Sequence, residues 1–142
     1  MSDKVTQAGT KLYAAGQLTE SELASVIEKH GIKVVVNLRG DDEAGFIDES
    51  DLCKKHGVKY IHHGTSKNPA EWDAALAEKI VKDTRQTQET PVLFHCAAGA
   101  RAKTFATLFE ADSFPDENTD SLIQKANINN PQMIEFAQKI LE

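Results

Sequence analysis

Two stretches of the chain nearly copy one another: KHGIKVVVNL from Lys29 and KHGVKYIHH from Lys55. In each, a lysine and a histidine stand where a helix ends and its unpaired carbonyls collect negative charge. A glycine then supplies the left-handed residue that stops the helix, and a run rich in β-branched residues starts a strand. A helix, a glycine stop and a strand, used twice, restrict the fold more than any other feature. Strands fed by helices pair in parallel, and a parallel sheet must be covered on both faces. A third strand is predicted at Val92–His95, opened by Pro91, and a short fourth at Lys11–Ala14. The chain therefore reads as α/β, a small mostly parallel sheet of about four strands flanked by helices, with a helical C-terminal third.

Helix signals agree with this alternation. Thr19 and Glu22 have the spacing of a capping box ahead of the apolar positions Leu23, Val26 and Ile27. The helix before the second copy is expected from about Asp48 to His56. Asn68 and Pro69 mark a start, with the helix running to about Gln86, and beyond Arg101 the stretch AKTFATLFEAD has helical periodicity, with further starts at Asp116 and at Asn130-Pro131. No Gly/Pro/Ser-rich linker divides the 142 residues, 40% of which are hydrophobic, so residues 1–142 are expected to form a single domain.

Charge narrows the partners. The net charge is −6 with acidic and basic residues interspersed, so neither nucleic acid nor a membrane surface is an expected partner, and an anionic ligand would need a local site. The N-terminal MSDKVTQAGT lacks the apolar stretch of a signal peptide and no run is long enough to span a bilayer, which makes a cytoplasmic location the expectation. The two cysteines, Cys53 and Cys96, are too few for a disulfide framework and are judged as thiols.

The chemistry concentrates in PVLFHCAAGARAKT, residues 91–104. In parallel sheets ligands bind beyond the carboxyl ends of strands, where the next helix offers unpaired N–H groups. Cys96 stands at such an end. Ala97, Ala98, Gly99 and Ala100 are small enough for the backbone to curl its N–H groups inward around an anion. A helix starting near Arg101 adds its positive end, its guanidinium can grip an oxyanion bidentately, and both favour the Cys96 thiolate. A nucleophile, a cradle for phosphate or sulfate and a counter-charge thus lie within one turn of chain.

The remaining candidates have weaker signals. His95 can tune the thiol or serve as a buried hydrogen-bonding post, the second role being favoured. His62 and His63 point to opposite sides of their strand and cannot share one metal, so no metal and no cofactor is expected. Cys53, beside Leu52 on a helix, reads as a packed inert thiol rather than one that resolves oxidised Cys96. Trp72 is expected to pack the start of its helix, the alternative being to flank an aryl substrate, and Arg39 with Asp41–Glu43 is expected to form a solvated loop within residues 39–46 rather than to line the rim of the site.

HCAAGAR resembles the signature loop of cysteine-dependent protein tyrosine and dual-specificity phosphatases, with His before the nucleophile, Gly three residues after it, and the phosphate-binding Arg. Together with AAGQLTESEL, VVVNLR and PVLFHC, it is similar to the small bacterial family of beta-lactamase-hydrolase-like phosphatases known as DUF442, over roughly residues 12–110. The resemblance implies a phosphatase-like fold, Cys96 as nucleophile, Arg101 as phosphate clamp, and a phosphorylated small molecule or phosphoprotein as substrate. The sequence departs from the phosphatase pattern in three ways. Four residues, not five, separate Cys96 from Arg101, which is the spacing of many rhodanese sulfurtransferases. Ala102 stands where a Ser or Thr would assist the departing thiolate, and Thr104 could replace it only if the helix began differently. Ser66 stands where phosphatases place an Asp general acid, leaving Asp73, Glu71 and His63 as substitutes in that order. A cysteine-dependent phosphatase is the leading expectation, a persulfide-forming sulfurtransferase the second, and a non-catalytic anion-binding module the third.

Overall fold

The computed structural model describes residues 5–40, 42, 43, 45 and 48–141. Five strands, β1 (Val5–Gly9), β2 (Leu12–Ala15), β3 (Val34–Asn37), β4 (Lys59–His62) and β5 (Val92–His95), form one sheet in the order β1-β2-β5-β3-β4. All neighbours are parallel except β1, which runs antiparallel to β2. β1 is the strand absent from the sequence expectation. VTQAG carries no apolar alternation, and it becomes a strand because a tight reversal, with Lys11 at φ 60°, folds it back on β2. Glu110 secures that reversal by accepting the Thr10 N–H at 2.9 Å.

Six helices cover the sheet: α1 (Glu20–His30), α2 (Ser50–Lys55), α3 (Ala74–Gln86), α4 (Ala100–Ser113), α5 (Thr119–Lys125) and α6 (Pro131–Leu141). The Thr19–Glu22 capping box forms with both reciprocal bonds, and Gly31 ends α1 at φ 65°. Strand residues alternate between two cores, as the pleat requires. Leu12, Ala14, Val34, Val36, Val92 and Phe94 pack against α4 and the helices around it. Ala15, Val35 and Leu93 face the opposite way, onto Leu23 and Ile27 of α1 and Cys53 of α2.

Three helix starts differ from expectation. The helix from Asn68 is interrupted: Pro69–Glu71 is one 3-10 turn, Trp72 is extended, and Asp73 caps α3 by accepting the Leu76 N–H at 2.8 Å. Trp72 is the reason. Its Nε1 donates to the Ser66 carbonyl at 2.8 Å and its ring lies 5.0 Å from Phe105 and 5.3 Å from Phe136, which anchors the chain in the core and breaks the helix. α4 begins one residue earlier than Arg101, and α5 begins at Thr119 because Asn118, not Asp116, caps it.

The segment after β3 leads to α2 on one face of the sheet, and that after β5 leads to α4 on the other. Two neighbouring parallel strands whose connections leave in opposite directions form the kind of switch point beyond which such sheets bind ligands. No helix among the described residues is long and apolar enough to cross a membrane.

Candidate active site

Cys96 follows β5 directly, and its residue is only 1% exposed. The turn after it depends on Gly99, which sits at φ 100° and is the residue from which α4 springs. A side chain there would be strained. The turn directs two N–H groups onto the sulfur: Gly99 donates to Sγ at 3.1 Å and Ala102 at 3.4 Å. The first hydrogen bond of α4 runs from Lys103 to Gly99, so the N–H groups of Ala100 and Arg101 stand ahead of it with no intrahelical acceptor. Within residues 97–101 it is the Gly99 N–H that reaches the sulfur, and the second donor, Ala102, lies one residue beyond them.

β2 braces the loop from the side. Gln17 donates its backbone N–H to the Ala97 carbonyl at 3.0 Å. A Cβ at Gly16 would stand 2.9 Å from that same oxygen, so the close approach requires glycine.

Arg101 is 4% exposed and its guanidinium is almost fully occupied on one side. Nη1 donates to Glu43 Oε2 at 2.8 Å and to the Thr65 carbonyl at 2.9 Å, with the Leu38 carbonyl more distant at 3.4 Å. Nη2 donates to Glu43 Oε1 at 2.9 Å. Of five guanidinium N–H groups, the oxygen acceptors leave two adjacent ones, on Nε and on Nη2, and the guanidinium also hydrogen-bonds the Cys96 sulfur. The Nε and Nη2 groups form one edge of the fork, the edge that can take two oxygens of a tetrahedral anion. The guanidinium lies close enough to the Cys96 sulfur to interact with it electrostatically, and this contact and Glu43 together hold its pKa above the ordinary arginine value against the opposing effect of burial.

Glu43 corrects the sequence expectation. Arg39 is 3% exposed and the Glu43 side chain 9% exposed, so these two are not solvated, whereas Asp42 is exposed as expected and Asp41 lies outside the described residues. The Arg101 hydrogen bonds are the main cause that lowers the Glu43 carboxyl to about 2, and the Gly40 N–H at 2.8 Å and Arg39 Nε at 3.2 Å contribute further. Arg39 also donates from Nη1 to Gln17 Oε1 at 2.6 Å and to the Gly45 carbonyl at 3.0 Å. The available signal was the Arg39/Glu43 spacing of four, immediately after a strand that ends at the switch point.

His95 points to the face opposite Cys96. Its Nε2 is 2.6 Å from Glu49 Oε1, both side chains are 1% exposed, and Nδ1 has no partner among the described residues. The favoured reading of His95 as a buried post fits this pairing. Glu49, which sequence reasoning overlooked, stands immediately before α2 and also accepts from Gln17 Nε2 at 3.2 Å. Cys53 is fully buried in the core on the α1 side, away from Cys96, and burial pushes its thiol up to about 12.

The acid candidates are less well placed. Ser66 borders the clamp, because the preceding carbonyl of Thr65 binds Arg101, and its hydroxyl accepts from the Asn68 N–H at 3.0 Å. Asp73 is engaged as the cap of α3, Glu71 is exposed on the 3-10 turn, and His63 Nε2 is held by Asp83 at 2.8 Å. Thr104 donates its hydroxyl to the Ala100 carbonyl at 2.9 Å, one turn along α4, so the backbone N–H of Ala102 serves the sulfur instead. Among the described residues no group of histidine, cysteine and carboxylate side chains could hold a metal ion.

No family model and no curated protein matches the sequence. Solved structures do. The DUF442 protein of Shewanella putrefaciens CN-32 superposes with a TM-score of 0.76 at 21% identity, over 96% of this chain and 90% of that one. Tk-PTP in its active form gives a TM-score of 0.78 at 17% identity, over 99% and 98%. PTPMT1 in complex with PI(5)P gives 0.77 at 15% identity, over 98% and 95%. The fold is the phosphatase-like one, and a DUF442 structure stands among its neighbours, in agreement with the resemblance of the HCAAGAR loop.

Proposed function

We propose that the chain is a cysteine-dependent phosphatase that hydrolyses a phosphate monoester through a phosphocysteine intermediate on Cys96. The observation that carries this reading is the Nε/Nη2 edge of Arg101, left by its oxygen acceptors, in a guanidinium that hydrogen-bonds a Cys96 sulfur also accepting from Gly99 and Ala102. A phosphate dianion seated on that edge and on the amides of residues 97–101 would place phosphorus in line with Sγ. The Cys96 thiolate attacks phosphorus, the P–O bond to the alcohol or phenol breaks, and its electron pair leaves on that oxygen. Water then cleaves the S–P bond, releasing inorganic phosphate and restoring the thiolate. Positioning and charge carry most of this chemistry, but an alkoxide leaving group also needs a proton. With Asp73 and His63 engaged elsewhere, the site suits aryl phosphates, whose phenoxides leave without one.

A second reading is favoured by the same vacancy and by the four-residue spacing. In sulfur transfer Cys96 attacks the outer sulfur of thiosulfate, the S–S bond breaks, sulfite leaves with the electron pair, and the persulfide sulfur passes to a thiol acceptor. No general acid is needed.

The experiment is acid-quenched intact mass after incubation with 4-nitrophenyl phosphate and, separately, with thiosulfate. A phosphoryl adduct present in the wild type and absent in Cys96→Ser supports the phosphatase. A sulfur adduct with every phosphate ester inert replaces it with the sulfurtransferase. No adduct of either kind, with phosphate still bound, leaves an anion-binding module.

A further inference from the structure

Buried charges around the end of β5 alternate in sign. Starting at His95 the chain of contacts runs to Glu49, through the Gln17 amide to Arg39, on to Glu43 and then to Arg101, whose guanidinium interacts with the Cys96 sulfur next to His95 in sequence. Every member but one carries a charge or can carry one. Gln17 is the neutral member, and its backbone N–H also binds the cysteine loop, at the Ala97 carbonyl. Its side-chain oxygen faces the buried cation Arg39 at 2.6 Å and its nitrogen faces the buried anion Glu49 at 3.2 Å, with a further bond to the Leu18 carbonyl at 2.7 Å.

We propose that Gln17 is a positioning residue for the anion cradle, acting on Arg101 through Arg39 and Glu43 and on the loop through the Ala97 carbonyl. An amide is suited to this place because one end accepts and the other donates, so it joins a buried guanidinium to a buried carboxylate without adding a charge. Either charge left without that partner would be costly at this depth. The backbone bond has a separate consequence. By holding the Ala97 carbonyl toward β2, where Gly16 leaves room for it, Gln17 keeps that oxygen turned away from the anion seat. The inference rests on the reading of the Cys96 loop as an anion cradle, not on which reaction follows.

Gln17→Glu places a carboxylate against Glu49 and should weaken tungstate and phosphate binding, measured by calorimetry, by roughly 10- to 100-fold, the effect expected when a binding group is displaced by about an ångström. Iodoacetamide alkylation of Cys96 at neutral pH should slow in parallel. The double variant Gln17→Glu/Glu49→Gln exchanges the positions of the amide and the carboxylate between Arg39 and His95, and should recover most of both losses. A purely structural role would lower the melting temperature of Gln17→Glu while leaving the anion affinity of the folded protein unchanged. Thermal melts accompany each variant, and if Gln17→Glu does not fold, Gln17→Met supplies the comparison by deleting both polar ends at similar volume. Anion affinity within about twofold of wild type in a folded Gln17→Glu or Gln17→Met, or a double variant no better than Gln17→Glu, overturns the proposal. If the wild type hydrolyses no phosphate ester, the phosphatase reading fails while the anion titrations still decide the role of Gln17. If it binds no anion, the cradle reading fails and the role of Gln17 fails with it.

Discussion

Replacing Glu43 by Gln removes the carboxylate that orients Arg101, and the cost can be worked out from its ionisation. Glu43 moves from the ordinary 4.5 to about 2 in the folded chain, chiefly through its hydrogen bonds with Arg101. At about 1.4 kcal/mol per unit, this difference corresponds to about 3 kcal/mol favouring the folded state at neutral pH. Because the folded value is the lower one, the contribution is complete above about pH 5 and is lost as the pH falls from 4.5 toward 2. At pH 3 about 2 kcal/mol of it is gone, since the unfolded carboxyl is then almost wholly protonated while the folded one is not. Glu43→Gln should therefore lie about 3 kcal/mol below wild type in urea unfolding at pH 7 and only about 1 kcal/mol below it at pH 3. A gap that is the same at both pH values would refute the ion pair as the source of the stability. A gap under about 1 kcal/mol at pH 7 would show the contact to be as weak as an exposed pair.

Arg101→Lys should weaken phosphate and tungstate binding by at least about tenfold, because an ammonium cannot present the two parallel N–H groups left on the Nε/Nη2 edge; equal affinity in calorimetry would show that the edge is not used. Phosphatase turnover should fall steeply as the leaving-group pKa rises across a series of aryl and alkyl phosphates, and Ser66→Asp should flatten that dependence, because Ser66 adjoins the Thr65 carbonyl bound by Arg101. Loss of alkyl phosphate turnover confined to Asp73→Asn, Glu71→Gln or His63→Gln would instead identify an acid already present. Native protein treated with iodoacetamide should be alkylated at Cys96 well before Cys53, whose thiol burial pushes up to about 12; tryptic mass mapping that finds Cys53 modified first would contradict its place in the core.

Local chemistry was legible where it was decided locally. The glycine stops at Gly31 and Gly57 and the Thr19–Glu22 box announced the alternation of helices and strands, because caps and β-branched runs act over a few residues. The order Cys, small residues, Arg was legible as strand end, tight turn and helix start for the same reason, since the three are contiguous in the chain. What tertiary structure alone decided are the partners that reach this loop from elsewhere. β1 carries no pattern of its own and is a strand only because β2 offers it an edge. Asn68-Pro69 looked like the start of a continuous helix, and the anchorage of Trp72 on Phe105 and Phe136 breaks it there. Arg39 and Glu43 looked solvated because charged residues after a strand usually are; the fold instead sets Glu43 between Arg39 and Arg101, the latter 58 residues away in the chain. Glu49 and Gln17 reach the site across still other connections. Cys96 and Arg101 belong to one segment, whereas the charged groups around Arg101 come from separate segments and are neighbours only once the sheet has formed.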